Sequence, residues 1–174
     1  MHDQMEAPGA DRPRSTEVEP VGVPGPPTAA TDEEAASAAR ARFKSFGVEP
    51  VDADDRVRGL LDPAEQVLAV RHSVALDRRL GSSRASAINS IRGDLYVTTA
   101  RLVLVGEQLL TFELDQIEDT ALAGELVLLI LGAGVGIVLD ADRPRLLRVQ
   151  IAAARAARAG PTGRAEDCPQ PASR

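Results

Sequence analysis

Apolar and polar positions along the chain change period twice, and the longest zone has the period of strands. From Glu65 onward, short apolar runs follow one another with a turn signal after each and no helical stretch between them. The pattern predicts seven strands, over about 65–76, 94–98, 101–105, 109–114, 116–122, 125–131 and 135–139. Gly106-Glu107, Ala123-Gly124 and Gly132-Ala133-Gly134 supply tight-turn chemistry, so consecutive strands are expected as antiparallel neighbours. The sixth run is apolar at every position after Glu125, so one of its two faces needs a cover.

Helical spacing flanks this zone on both sides. Thr31-Asp32-Glu33-Glu34 reads as a capping box, with Thr31 as the cap. Ala35, Ala39, Phe43 and Phe46 then make one stripe, and Gly47 is a natural stop. After the strands, Asp142 is placed to cap and Pro144 to open a helix whose stripe is Leu146, Leu147, Ile151, Ala154 and Ala157, ending at Gly160-Pro161. This helix is expected to pack Leu147, Ile151 and Ala154 on the sheet. The Pro-rich ends bury too little surface to offset chain entropy. The resulting plan is a disordered acidic leader over 1–30, a short amphipathic helix over 31–47, a folded domain over 57–159 and a disordered tail over 160–174.

Charge narrows the function. The net formal charge of −6 resides in residues 1–34, which hold eight acids against Arg12 and Arg14, and the remainder is balanced. A neutral domain with only four aromatic residues lacks both the basic face and the stacking platform of a nucleic-acid binder. The single cysteine, Cys168, allows no intrachain disulfide or thiolate cage. The longest apolar run, 126–139, has 14 residues and contains three glycines, too short for a membrane helix of about 20 residues. The first residues lack a basic start followed by an apolar run, so a cytoplasmic place is expected, with peripheral membrane association as its variant.

Gly93-Asp94-Leu95-Tyr96-Val97-Thr98-Thr99-Ala100-Arg101-Leu102-Val103-Leu104, with Ala69-Val70-Arg71 before it and Leu114-Asp115-Gln116-Ile117 after it, resembles the GRAM and bacterial pleckstrin-homology-like domains. The resemblance extends over about 100 residues, counting the strand order and final helix. It implies a mainly β (β+α) fold, a seven-stranded antiparallel sandwich or barrel capped by a C-terminal helix. It also implies a non-enzymatic binding module, with anionic head groups held at the first hairpin. The chain departs from lipid-binding members in having arginines there instead of a lysine-rich loop.

Candidate chemistry is sparse. His72 and Ser73 are neighbours expected on opposite faces of a strand, and no third group completes a nucleophilic triad, so no catalytic residue is assigned. The acidic groups Asp52, Asp54 and Asp55, Asp115, Glu118 and Asp119, and Asp140 with Asp142 lack an ion-loop signature and read as solvated turns and a helix cap, so neither a metal nor a cofactor is expected. The concentrated charge is Arg71, Arg78, Arg79, Arg84 and Arg92, interleaved with serines and opposed by Asp77. Guanidinium forks suit phosphate or carboxylate, which makes these five the candidate anion-binding residues. Two functions follow. The first is an adaptor for a protein partner, or for self-association, through the 125–139 hairpin or the 31–47 helix. The second, ranked behind it, is peripheral binding of anionic lipid or another anion through 71–92.

Overall fold

The computed structural model describes residues 29–80, 90–132 and 135–160, with no side-chain description for 29 and 78–80. The reading of 1–30 and 160–174 as disordered falls almost wholly outside these residues. Helix α1 (Ala29–Phe46) is followed by the single turn α2 (Asp55–Arg58) and strands β1 (Val67–Leu80), β2 (Ile91–Thr98), β3 (Arg101–Gly106) and β4 (Leu109–Glu113). A 3-10 turn (Leu114–Gln116) leads to β5 (Ile117–Ala123), β6 (Leu126–Leu131), β7 (Val135–Asp140) and the closing helix α3 (Pro144–Ala159).

The strands form one antiparallel array in the order β4-β3-β2-β1-β7-β6-β5. The two edge strands, β4 and β5, are sequence neighbours, so the sheet folds over on itself with β1 as the spine. β1 is long enough to serve both halves, pairing β2 through Val67–Leu76 and β7 through Ala75–Leu80. It turns the corner with register shifts between Val67 and Ala69 and between Arg71 and Val74, each placing an extra residue on β1. Such bulges bend a strand and sharpen its twist. Ser73 takes a φ of +57° at the second bulge, where its N–H donates to Asp94 Oδ1 of β2 (3.2 Å). The bulge also breaks the alternation expected of His72 and Ser73. The reading of Arg78 and Arg79 as part of a loop is likewise corrected. Both lie within β1 and pair with Ile137 and Gly136, since backbone bonding to β7 extends the strand past the end of its apolar pattern.

The main core fills the fold between the halves. Leu147, Ile151 and Ala154 of α3 are fully buried there with Leu95, Leu104, Val127, Leu129 and Ile137, as the stripe predicts. Each such leucine or isoleucine contributes roughly 1.5–3 kcal/mol. Gly93 and Gly106 face each other across β2 and β3 and tolerate no side chain. A Cβ on Gly93 meets the Val105 carbonyl oxygen at 2.6 Å, and one on Gly106 meets the Arg92 carbonyl oxygen at 2.1 Å.

The first helix departs from its expected pattern. α1 already includes Ala29 and Ala30, which places Thr31 inside the helix and not at its cap. Its buried positions are Asp32 and Ala36, and Phe46 is 78% exposed. Asp32 accepts the N–H groups of Arg145 (2.8 Å) and Leu146 (3.1 Å), capping α3 from a different helix. The expected cap, Asp142, is corrected on this point: Arg143 holds the N-cap position of α3 without a side-chain bond. A carboxylate at a helix N-terminus satisfies orphan donors and meets the positive end of the dipole. Asp32 therefore fixes α1 onto α3.

Candidate functional site

Several residues in the motif that carries the family resemblance hold the fold together. Glu65, whose side chain is 1% exposed, lies where the segment 48–66 meets the β2–β3 turn. Arg101 grips it with Nε (3.1 Å) and Nη2 (2.8 Å), and the Thr98 hydroxyl donates to Oε1 (2.6 Å). Burial pushes the Glu65 carboxyl up, and the bonds from Thr98 and Arg101 outweigh it and hold the group below the usual range. Arg101 Nη2 also donates to the Leu60 carbonyl (2.9 Å). Two residues before Thr98 on the same face of β2, the Tyr96 hydroxyl donates to Asp54 Oδ2 (2.6 Å), and Asp54 caps α2 by accepting from the N–H groups of Arg56 and Val57. Burial and the Asp54 bond push the Tyr96 hydroxyl up to about 12. Asp94 pairs with Arg56 and lies 3.3 Å from His72 Nδ1.

These contacts lay the segment 48–66 over the outer face of β1–β3. A second small core results, in which Val57, Val67, Tyr96 and Val103 are at most 1% exposed. Sequence reasoning read Asp54 as part of a solvated turn, where it instead caps α2 and accepts from Tyr96, and it missed Glu65 and Asp94. The signal available was the acid just before the first strand and the Thr98–Arg101 spacing, two groups that want a carboxylate.

Of the candidate arginines, the two with described side chains, Arg71 and Arg92, lie on opposite faces of the sheet. Arg71 turns toward α3, where Nη2 donates to Gln150 Oε1 (2.8 Å), while its buried Nε has no partner. Burial pushes its guanidinium below the ordinary arginine range, against the pull of Asp142. Arg92 is exposed and shares the opposite sheet face with Asp94 and Tyr96, as strand alternation along β2 requires. The side chains of Arg78 and Arg79, and the whole of Arg84, lie outside the described residues. Among the described residues no cluster of three His, Cys, Asp or Glu is arranged to hold a metal.

The other half of the sheet carries the feature expected of the sixth strand. Val127, Leu129 and Leu131 of β6 point into the core. Leu126, Leu128 and Ile130 therefore point outward, and each is partly exposed. Val138 of β7 and Ala121 of β5 lie opposite Leu128 in register and continue the apolar patch. Asp119 pairs with Ile130, Asp140 with Leu126 and Asp77 with Val138, giving the patch an acidic rim. α3 packs on the inward face, and no helix of the described residues lies over this outer one. Apolar surface gathered on one face inside a polar rim is the usual form of a protein contact.

No protein-family model matches the chain, and no curated protein matches it either. Among solved structures, the chain is similar to the Vps36 N-terminal PH domain, with a TM-score of 0.46 and 16% identity over 62% of this chain and 89% of that one. It is also similar to the C-terminal domain of an unknown protein from Leishmania infantum, with a TM-score of 0.41 and 16% identity over 59% of this chain and 90% of that one. The architecture itself rests on the strand order and register described above.

Proposed function

We propose that the chain is a non-enzymatic, pleckstrin-homology-like binding module of the GRAM type, and that it works as an adaptor by holding a protein partner on the outer face of β5–β7. The observation that carries this reading is the partly exposed set Leu126, Leu128, Ile130 and Val138, aliphatic positions on one sheet face with no helix over them among the described residues. Burying apolar area contributes about 25 cal/mol per Å², so a partner that covers these side chains gains what the fold leaves unused. The acidic rim selects a partner with an apolar centre and basic flanks. A cytoplasmic place belongs to the same proposal. Among the described residues, no helix is long and apolar enough to cross a membrane.

Co-purification from the native host tests the assignment when wild type and Leu128→Asp are compared side by side. The expected result is a partner retained by wild type and lost by the variant, with both chains melting within a few degrees of each other because Leu128 faces outward. A partner retained equally by the variant refutes the assignment of this face.

A further inference from the structure

We propose that the groove between α1, α3 and β5 seats an acidic segment of this same chain, residues 1–28. The groove encloses about 510 Å³. Arg40 and Phe43 of α1 form one wall, Arg148 and Arg155 of α3 the other, with Ala152 between the two arginines and Asp119 at the β5 side. Arg148 and Arg155 are two helical turns apart, which puts them on one side of α3 about 10 Å from each other. Arg148 Nε donates to the Thr120 carbonyl (2.9 Å) and Arg155 Nη2 to the Glu118 carbonyl (3.1 Å). These bonds steady the guanidinium groups against the edge of β5 and use one of five donors on each. Neither arginine has a carboxylate within 4.0 Å among the described residues, whereas Arg40, Arg101, Arg145 and Arg158 all do. The groove therefore offers two uncompensated cations around a small apolar floor, and the ligand that matches is a carboxylate-bearing segment with aliphatic side chains.

Residues 1–28 have that chemistry. They carry five acids against Arg12 and Arg14, and Glu17-Val18-Glu19 brings two carboxylates and a valine together. Of the three remaining acids of the acidic zone, Asp32 caps α3 and Glu33 pairs with Arg40 and Arg145. The tether also has the reach. α1 begins at Ala29, so Arg40 and Phe43 lie roughly 17–21 Å further along its axis. Glu19 precedes Ala29 by ten residues, which extend to about 33 Å. A tethered segment of this length acts at an effective concentration of order millimolar. Weak charge pairing is then sufficient to hold it.

Lys44, the sole lysine, is exposed one turn beyond Arg40 and provides a zero-length test. Carbodiimide coupling on the full chain is expected to join Lys44 to Glu17 or Glu19 within one molecule. The yield should fall several-fold as salt rises from about 0.1 M to 1 M, where the screening length shrinks from ~10 Å to ~3 Å. In parallel, neutralising Glu17→Gln and Glu19→Gln should move the backbone amide resonances of Ala152 and Arg155 while leaving those of β6 in place. Lys44 coupled only to acids beside it such as Glu49, coupling between two molecules, or unmoved Ala152 and Arg155 resonances would each overturn the proposal.

Discussion

The two halves of the sheet make opposite use of their outer faces. On β1–β3, Val67, Tyr96 and Val103 lie under the segment 48–66, which is tied down by the Glu65–Arg101 pair and the Tyr96–Asp54 bond. On β5–β7 an aliphatic set, Leu126, Leu128, Ile130 and Val138, has no such cover among the described residues. The polar groups account for the difference. The first half contributes Thr98, Tyr96 and Arg101, donors that hold an acidic strap by its carboxylates. Among the described side chains, the outer face of the second half has acids at its rim and no such set of donors. One half is closed by the chain itself, and the other, open among the described residues, is the face we propose for a partner.

Removing the strap's main clamp should produce the largest effect. Arg101→Ala leaves the carboxylate of Glu65 buried and unpaired, which should lower stability by about 3 kcal/mol in urea unfolding. The same pair sets an acid limit. The folded pKa of Glu65 lies below its ordinary value of 4.5, so its bonds stabilise fully above that pH and fade as pH falls below it. The wild-type acid limb should therefore be steeper than that of Arg101→Ala. Equal limbs would show that Glu65 is not the clamp.

Tyr96→Phe is the smaller change on the same half. It deletes one hydroxyl bond to Asp54 and should cost about 1 kcal/mol. In wild type, ultraviolet titration should show the sole tyrosine ionising near 12. Ionisation near 10 would mean that the strap does not cover the ring.

The uncovered face was legible in the sequence and the covered one was not. An uninterrupted aliphatic run over 126–131 can bury only alternate residues in a two-layer fold, so the surplus is visible in the pattern itself. The closing helix was equally plain, because Leu147, Ile151 and Ala154 sit at helical spacing. The strap has no period to read. It has a single four-residue helical turn, α2, and its contacts reach across 33 to 42 residues. Asp32 capping α3 spans 113 residues. Arg78 and Arg79 look like loop residues because their place in β1 comes from backbone pairing with β7, which an apolar pattern does not report. Local pattern reports which surfaces are apolar; which polar groups meet is decided by the tertiary fold.

The most direct test of the contrast places a photo-crosslinking amino acid at Leu128 on the open half and, separately, at Leu60 on the strap, and irradiates both chains in the native host. Leu60 is 37% exposed, so it is as accessible to solvent as the test requires. The account predicts a discrete protein adduct from Leu128, abolished by adding Ile130→Asp, and none from Leu60. A matching adduct from both positions, or one from Leu60 alone, would contradict it.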